Sequence, residues 1–215
     1  MDRRHFVGMV AATSTAGLAG CGFLTGEEAL SFSASAALPT DDALSETGYE
    51  QASVEEQVVT QEFTVADQTR EVEVSNQLAQ YERQVSLEPL DSQRGALFVT
   101  FASPEVEVLG ETFNPIEDLS GREVLQQFES QYEGLSVGDQ VGSQDVTTLG
   151  QSTTLQQFAG SATLAGTEVD VYLHTAKFDH EGDYIVVVGI YPQQLDSEAQ
   201  NVVTLLESLE HSGDE

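Results

Sequence analysis

The segment Tyr184-Ile-Val-Val-Val-Gly-Ile-Tyr191 is apolar at odd and even positions alike. A strand with one wet face alternates apolar and polar residues with period two. This one does not, so it is predicted to run through the middle of a sheet covered on both faces. Pro192 closes it, because a proline cannot donate to a ladder. Any fold for this chain must therefore supply strands on either side of 184–191 and apolar layers above and below it.

The rest of the chain offers those parts. Leu30 to Ala36 alternates with period two and reads as a strand. Pro39-Thr40-Asp41-Asp42-Ala43-Leu44 begins a short helix, with Thr40 as N-cap, acids in the first turn and Gly48 to close it. From Tyr49 to Leu87 the pattern is of long antiparallel strands, turning at Ala66-Asp67-Gln68, followed by a strand over 96–101 that stops before Pro104. Ser120-Gly-Arg-Glu123 has capping-box spacing and starts a helix carrying Leu125, Phe128 and Tyr132, with Gly134 as its C-terminal cap. Gly134 to Gly150 reads as a loop with a brief strand. Strands follow at about 155–164, 168–178 and 184–191, and an amphipathic helix from Ser197 to about His211 carries Ala199, Val202, Val203, Leu206 and Leu209 on one stripe. The expected architecture is a single α+β domain, an antiparallel β-sheet flanked by two or three helices.

The N-terminus carries an address. Arg3-Arg4 precede a weakly apolar stretch, Phe6 to Ala19, which is shorter than the roughly 20 residues of a spanning helix and fits the hydrophobic region of an export signal. Adjacent arginines at that place read as a twin-arginine signal. Leu18-Ala19-Gly20-Cys21 resembles a lipobox, which implies cleavage before Cys21 and a diacylglyceryl group on its sulfur. The expected organisation is a signal peptide over 1–20, a lipidated tether over 21–28, one domain over 29–212 and a tail over 213–215. Two lipid chains suffice to anchor a protein without help from basic residues. The expected location is the extracellular face of the cell membrane.

Charge settles what kind of solvent and partner such a domain suits. Asp and Glu number 37 against 7 Lys and Arg, a formal net charge of −30, and Lys177 is the sole lysine. Nucleic acid is excluded as a partner, since phosphate binding needs clustered cations. In dilute salt such a charge opposes compaction, whereas at molar salt the screening length falls to about 3 Å and the repulsion fades. Spread along the chain in this way, the acids resemble those of proteins from extreme halophiles. With 40% hydrophobic residues the chain can still bury a core. Its single cysteine excludes an internal disulfide and any cysteine zinc cage.

Two family resemblances follow from these segments. Strand, acidic Gly-containing turn (Asp179 to Asp183), apolar strand, Pro192 and amphipathic helix together resemble the end of Mog1/PsbP-like domains, which implies an antiparallel sheet with helices on both sides. Across its length the chain resembles a haloarchaeal lipoprotein family of unknown function, through Arg3-Arg4, Leu18 to Cys21, Ala43-Leu-Ser-Glu-Thr-Gly-Tyr49 and Val187-Val-Gly-Ile-Tyr-Pro192. That family implies no activity, cofactor or catalytic residue.

Reactive constellations are sparse. Neither a Gly-x-Ser-x-Gly elbow nor a phosphate-binding glycine loop occurs, so no catalytic residue is assigned and no enzymatic activity is expected. Asp179, His180, Glu181 and Asp183 are weak metal candidates at a hairpin tip flanked by His174 and His180; turns favour Asp and Gly in any case. His211 is expected in the last turn of the final helix, where an imidazolium suits the helix dipole. Arg70, Arg83, Arg94, Arg122 and Lys177 are expected to pair with nearby carboxylates such as Glu71 or Glu82. The reading is a lipid-anchored, non-enzymatic binding or accessory module without a cofactor, meeting a protein partner at the cell surface. The alternative is a small-ligand or metal-ion carrier associated with a membrane transporter.

Overall fold

The computed structural model describes residues 30–65, 68–87, 90–108, 111–112, 116–132 and 134–212. In chain order the elements are β1 (Leu30–Ser33), β2 (Leu38–Pro39), α1 (Asp41–Thr47), β3 (Glu50–Val65), β4 (Gln68–Leu87), β5 (Leu90–Pro104), β6 (Glu107–Val108) and β7 (Glu111–Thr112). Then come α2 (Gly121–Gln131), β8 (Ser136–Thr148), β9 (Gln151–Leu164), β10 (Thr167–His180), β11 (Asp183–Pro192), α3 (Glu198–Glu207) and β12 (Leu209–Glu210). They form one α+β domain built on a mostly antiparallel, eight-stranded sheet of order β1-β4-β5-β11-β10-β9-β8, with β3 on β4. Two meanders compose it, β3-β4-β5 and β8-β9-β10-β11, and they join where β11 pairs with β5. β1 runs parallel to β4 over Val72–Ser75, beyond the stretch that β5 occupies.

β11 is the seam, and its two parities explain the layers. Ile185, Val187 and Tyr191 enter a cluster with Ala43 of α1 and Val202, Leu205 and Leu206 of α3. Val186, Val188 and Ile190 enter the opposite cluster, with Val124 and Leu125 of α2. A strand with two dry faces needs two apolar sets, which is why this sequence never alternates. Gly189 permits the close approach of α3: a Cβ there would lie 2.8 Å from Cγ2 of Val202.

Local signals place the helices. Thr40 accepts from the Ala43 amide, and Gly48 closes α1 in the left-handed region at φ +72°. At α2 both arms of the capping box form, Glu123 N–H to Ser120 Oγ and Ser120 N–H to Glu123 Oε2. The Ser120 hydroxyl and then the Ser120 amide, both donating to Glu123 Oε2, hold that carboxyl below its usual range. α2 ends at Tyr132, whose N–H reaches the Phe128 carbonyl; Gly134 follows in the turn beyond it, at φ +82°.

Several expectations need correction. Residues 136–148 form a full strand rather than a loop, because β8 is an edge strand largely open on both faces, which strips it of the apolar alternation that marks strands. β5 is longer than 96–101 and includes Pro104, while β1 stops at Ser33. The final helix ends at Glu207, and Leu209–Glu210 turns away to pair with β2, so His211 lies beyond a strand rather than in a helical turn. Residues 66–67 lie outside the described region, although Val65 pairs with Gln68 on either side of them. Three hairpins, at Leu149-Gly150, Ala165-Gly166 and Glu181-Gly182, turn on two successive positive-φ residues, the geometry that matches the twist of the flanking strands. Among the described residues no helix is long and apolar enough to cross a membrane.

Candidate functional site

The β10–β11 hairpin ends in the pair His180 and Asp183, with Glu181 and Gly182 at the turn. Two remote segments close on it. Ser35, after β1, donates its backbone N–H to Asp183 Oδ2 at 2.8 Å. His211 is delivered by β12, whose pairing with Pro39 and Leu38 fixes the chain one residue before it. Its Nε2 lies 2.9 Å from the same Oδ2 and its Nδ1 lies 2.9 Å from Nδ1 of His180. The His211 side chain is fully buried and Asp183 nearly so.

These contacts constrain the protons. A carboxylate can only accept, so His211 Nε2 carries a hydrogen toward Asp183. One proton then lies between the two facing Nδ1 atoms, and a neutral His211 accepts it from His180. The imidazole rings stand at 72° with centroids 5.2 Å apart. One ligand atom from each of His180, Glu181 and His211 falls within 4.8 Å of the others. Such a set can share a proton or hold a cation.

Of the weak metal candidates, His180 and Glu181 belong to this cluster. Asp183 lies behind it as a hydrogen-bond partner, and exposed Asp179 stays out: its carbonyl accepts from Gln151. His174 does not flank the tip. It lies six residues along β10, about 20 Å away at strand rise, stacked on Tyr191 with Nε2 at 2.8 Å from the hydroxyl. Burial holds His174 down to a pKa of about 4, and its Nδ1 has no hydrogen-bond partner. His211 escaped the sequence reading because only the β2–β12 pairing brings it to the hairpin.

Of the scarce cations, Arg83 and Arg122 pair with carboxylates as expected, though Glu198 is remote from Arg83 in sequence, and Lys177 bonds carbonyl oxygens instead. Lys177 donates to three carbonyls, Ile116, Glu117 and Leu119, at 2.6–3.1 Å, and so pins the segment before α2. Arg83 reaches Glu198, which is remote in sequence and fully buried. Arg122 lies over the Phe158 ring at 5.4 Å, and its ion pair with exposed Asp139 is 3.7 Å long; such a pair adds little. The side chains of Arg70 and Arg94 lie outside the described region, as do Arg3, Arg4, Leu18, Ala19, Gly20 and Cys21.

Three clefts flank α2: a polar one of about 500 Å³ at its N-terminus, between Ser120, Gly121, Thr153 and Lys177, and two smaller ones farther along it. One of the smaller pair, about 230 Å³, is lined mainly by apolar groups including Leu97, Leu135, Leu164 and Ile190. The other, about 290 Å³, lies between Phe101, Phe128 and the β3–β4 hairpin. Both of these smaller clefts fall below the roughly 300–1,000 Å³ of ordinary small-molecule pockets.

No curated protein matches this chain. A crystal structure of a protein of unknown function, PA94 from Pseudomonas aeruginosa, shares 14% identity over 66% of this chain and 88% of that one, at a TM-score of 0.29. A likeness that remote decides nothing about function. Residues 36–210, which hold every strand of the sheet except β1 and all three described helices, match the domain of unknown function DUF6517, and the chain belongs to that family.

Proposed function

We propose that this protein is a lipid-anchored module on the outer face of the cell membrane, exported folded by the twin-arginine route and working in concentrated salt. It binds a protein partner or serves as an accessory factor, and it is not an enzyme. The observation that carries the reading is the order Arg3-Arg4, short apolar stretch, Leu18-Ala19-Gly20-Cys21. A thiol placed directly after such a stretch has one evident use, as the acceptor of a lipid. Helices on both faces of the sheet agree with the Mog1/PsbP likeness, and the net charge of −30 supports a saline, haloarchaeal setting. A protein partner has a surface to meet in β3, an edge strand whose Val54, Val58 and Val59 are exposed. Glu55, Glu56 and Glu62 on the same strand discourage indiscriminate pairing.

Mass spectrometry of the native protein tests this. The expected product begins at Cys21 with a lipid on its sulfur, and Cys21→Ser moves the protein from the membrane to the soluble fraction. An intact Met1, or a free thiol on native Cys21, refutes it. The alternative, a carrier working with a membrane transporter, gains nothing from the small clefts beside α2. It gains support from the paired imidazoles of His180 and His211.

A further inference from the structure

We infer that His180, His211 and Glu181 form a binding site for a divalent transition-metal ion of the zinc type, with Asp183 as the residue that orients His211. The inference is independent of whether Cys21 carries lipid, and it gives the carrier reading a definite cargo class.

Asp183 gives the first argument. An imidazole that binds a metal through one nitrogen usually gives its other N–H to a carboxylate, which fixes both tautomer and ring orientation. His211 has that arrangement before any ion arrives: Nε2 is held by Asp183 at 2.9 Å, leaving the Nδ1 lone pair directed at the cluster. Asp183 is buried and held in turn by the Ser35 amide at 2.8 Å, so the support is rigid. Backbone pairing positions each member: β10–β11 for His180 and Asp183, and β2–β12 for the approach of His211.

Distance gives the second. Two nitrogens at about 2.0–2.1 Å from a tetrahedral zinc lie about 3.3 Å apart. The facing Nδ1 atoms are 2.9 Å apart, so admitting the ion takes a few tenths of an ångström of separation and a turn of the rings that brings both Nδ1 lone pairs onto it. Glu181 lies within 4.8 Å of both and is exposed at the hairpin tip, where its side chain can close on the ion from the solvent side. Protons balance without loss: His211 keeps its hydrogen on Nε2, and His180 moves its own from Nδ1 to Nε2. The ion then replaces the shared proton as the link between the two rings, sitting to one side of the line that joins the Nδ1 atoms, and solvent takes the fourth position.

Ligand type gives the third. Two imidazoles and one carboxylate select zinc, copper, nickel or cobalt over calcium and magnesium, which prefer all-oxygen shells. An acidic surface attracts any cation weakly; the imidazole pair is what makes this place selective.

The test uses the full-length chain in molar KCl. Titration with ZnCl2 in a calorimeter is expected to give one ion per chain, undisturbed by an equal concentration of CaCl2. CoCl2 should give the intense visible bands of tetrahedral cobalt. His180→Ala should abolish those bands, and Asp183→Asn should weaken zinc binding about 10- to 100-fold. Glu181→Gln, at an exposed turn, serves as the variant that keeps the fold and should also weaken binding; circular dichroism checks each protein. A flat zinc titration, displacement by calcium, or zinc binding unaffected by His180→Ala and Glu181→Gln would overturn the assignment and leave the pair as a structural clamp.

Discussion

Removing the guanidinium of Arg83 should destabilise this domain more than any comparable change at its surface. Glu198 sits in the first turn of α3 with its side chain fully buried, paired to Arg83, whose side chain is 31% exposed. The carboxylate also accepts from the Tyr49 hydroxyl at 3.0 Å and from Asn201 Nδ2 at 3.1 Å. Burial pushes the Tyr49 hydroxyl well above the usual tyrosine range, against the opposing pull of Arg83, so Tyr49 stays a donor. Arg83→Ala strands a buried charge with neutral donors alone. Breaking one side of a buried pair costs about 3–5 kcal/mol, and the partial exposure of Arg83 places this case near the lower figure, about 3 kcal/mol. For a domain of this size, that is a drop in Tm of roughly 6–12 °C. Glu198→Gln removes the buried charge; its Oε1 can still accept from Asn201 Nδ2, its Nε2 must instead donate to the Tyr49 hydroxyl oxygen, and Arg83 turns to water, for an expected cost of about 1 kcal/mol. Urea unfolding at fixed molar KCl measures both. A cost below about 1 kcal/mol for Arg83→Ala, or a larger loss for Glu198→Gln than for Arg83→Ala, refutes the reasoning.

Three further outcomes are expected. His174 is neutral in the folded state down to about pH 4, whereas an unfolded chain protonates it near 6.5. Below 6.5 the unfolded state therefore binds more protons, so stability present above that pH declines as pH falls toward 4, by up to about 3 kcal/mol. His174→Gln should flatten that part of the profile, and an unchanged slope counts against a buried neutral imidazole. Gly189→Ala should cost about 1–3 kcal/mol by pressing a methyl into Val202, and the double change with Val202→Ala should recover most of it. Dilution from molar to millimolar KCl should unfold the domain as its negative charges lose screening; a circular dichroism spectrum that stays constant contradicts the salt argument.

The buried cluster also explains why the site is less legible than the fold. Thr40, Gly48, Ser120 and Glu123 act within four residues of their targets, so their helices can be read directly. Burial on both faces of β11 is likewise written in Tyr184 to Tyr191. β8 could not be read that way, because most of this edge strand is open on both faces and only Val146 and Thr148, at its end, alternate into the core. The partners of Arg83 and Lys177 were equally hidden: Glu198 and the carbonyls before α2 are contacts across layers, not along the chain.

By itself, then, the sequence determined the N-caps of α1 and α2 and the Gly48 cap of α1, the doubly buried strand, the α+β class and the acidic composition, since each follows from neighbouring residues or from composition. Only the tertiary structure decided that Ser35 and His211 join His180, Glu181 and Asp183 at the hairpin tip. Sheet pairing closes loops of any length, and the β2–β12 ladder that carries His211 across the domain involves Leu38, Pro39, Leu209 and Glu210, residues with no local mark of their pairing.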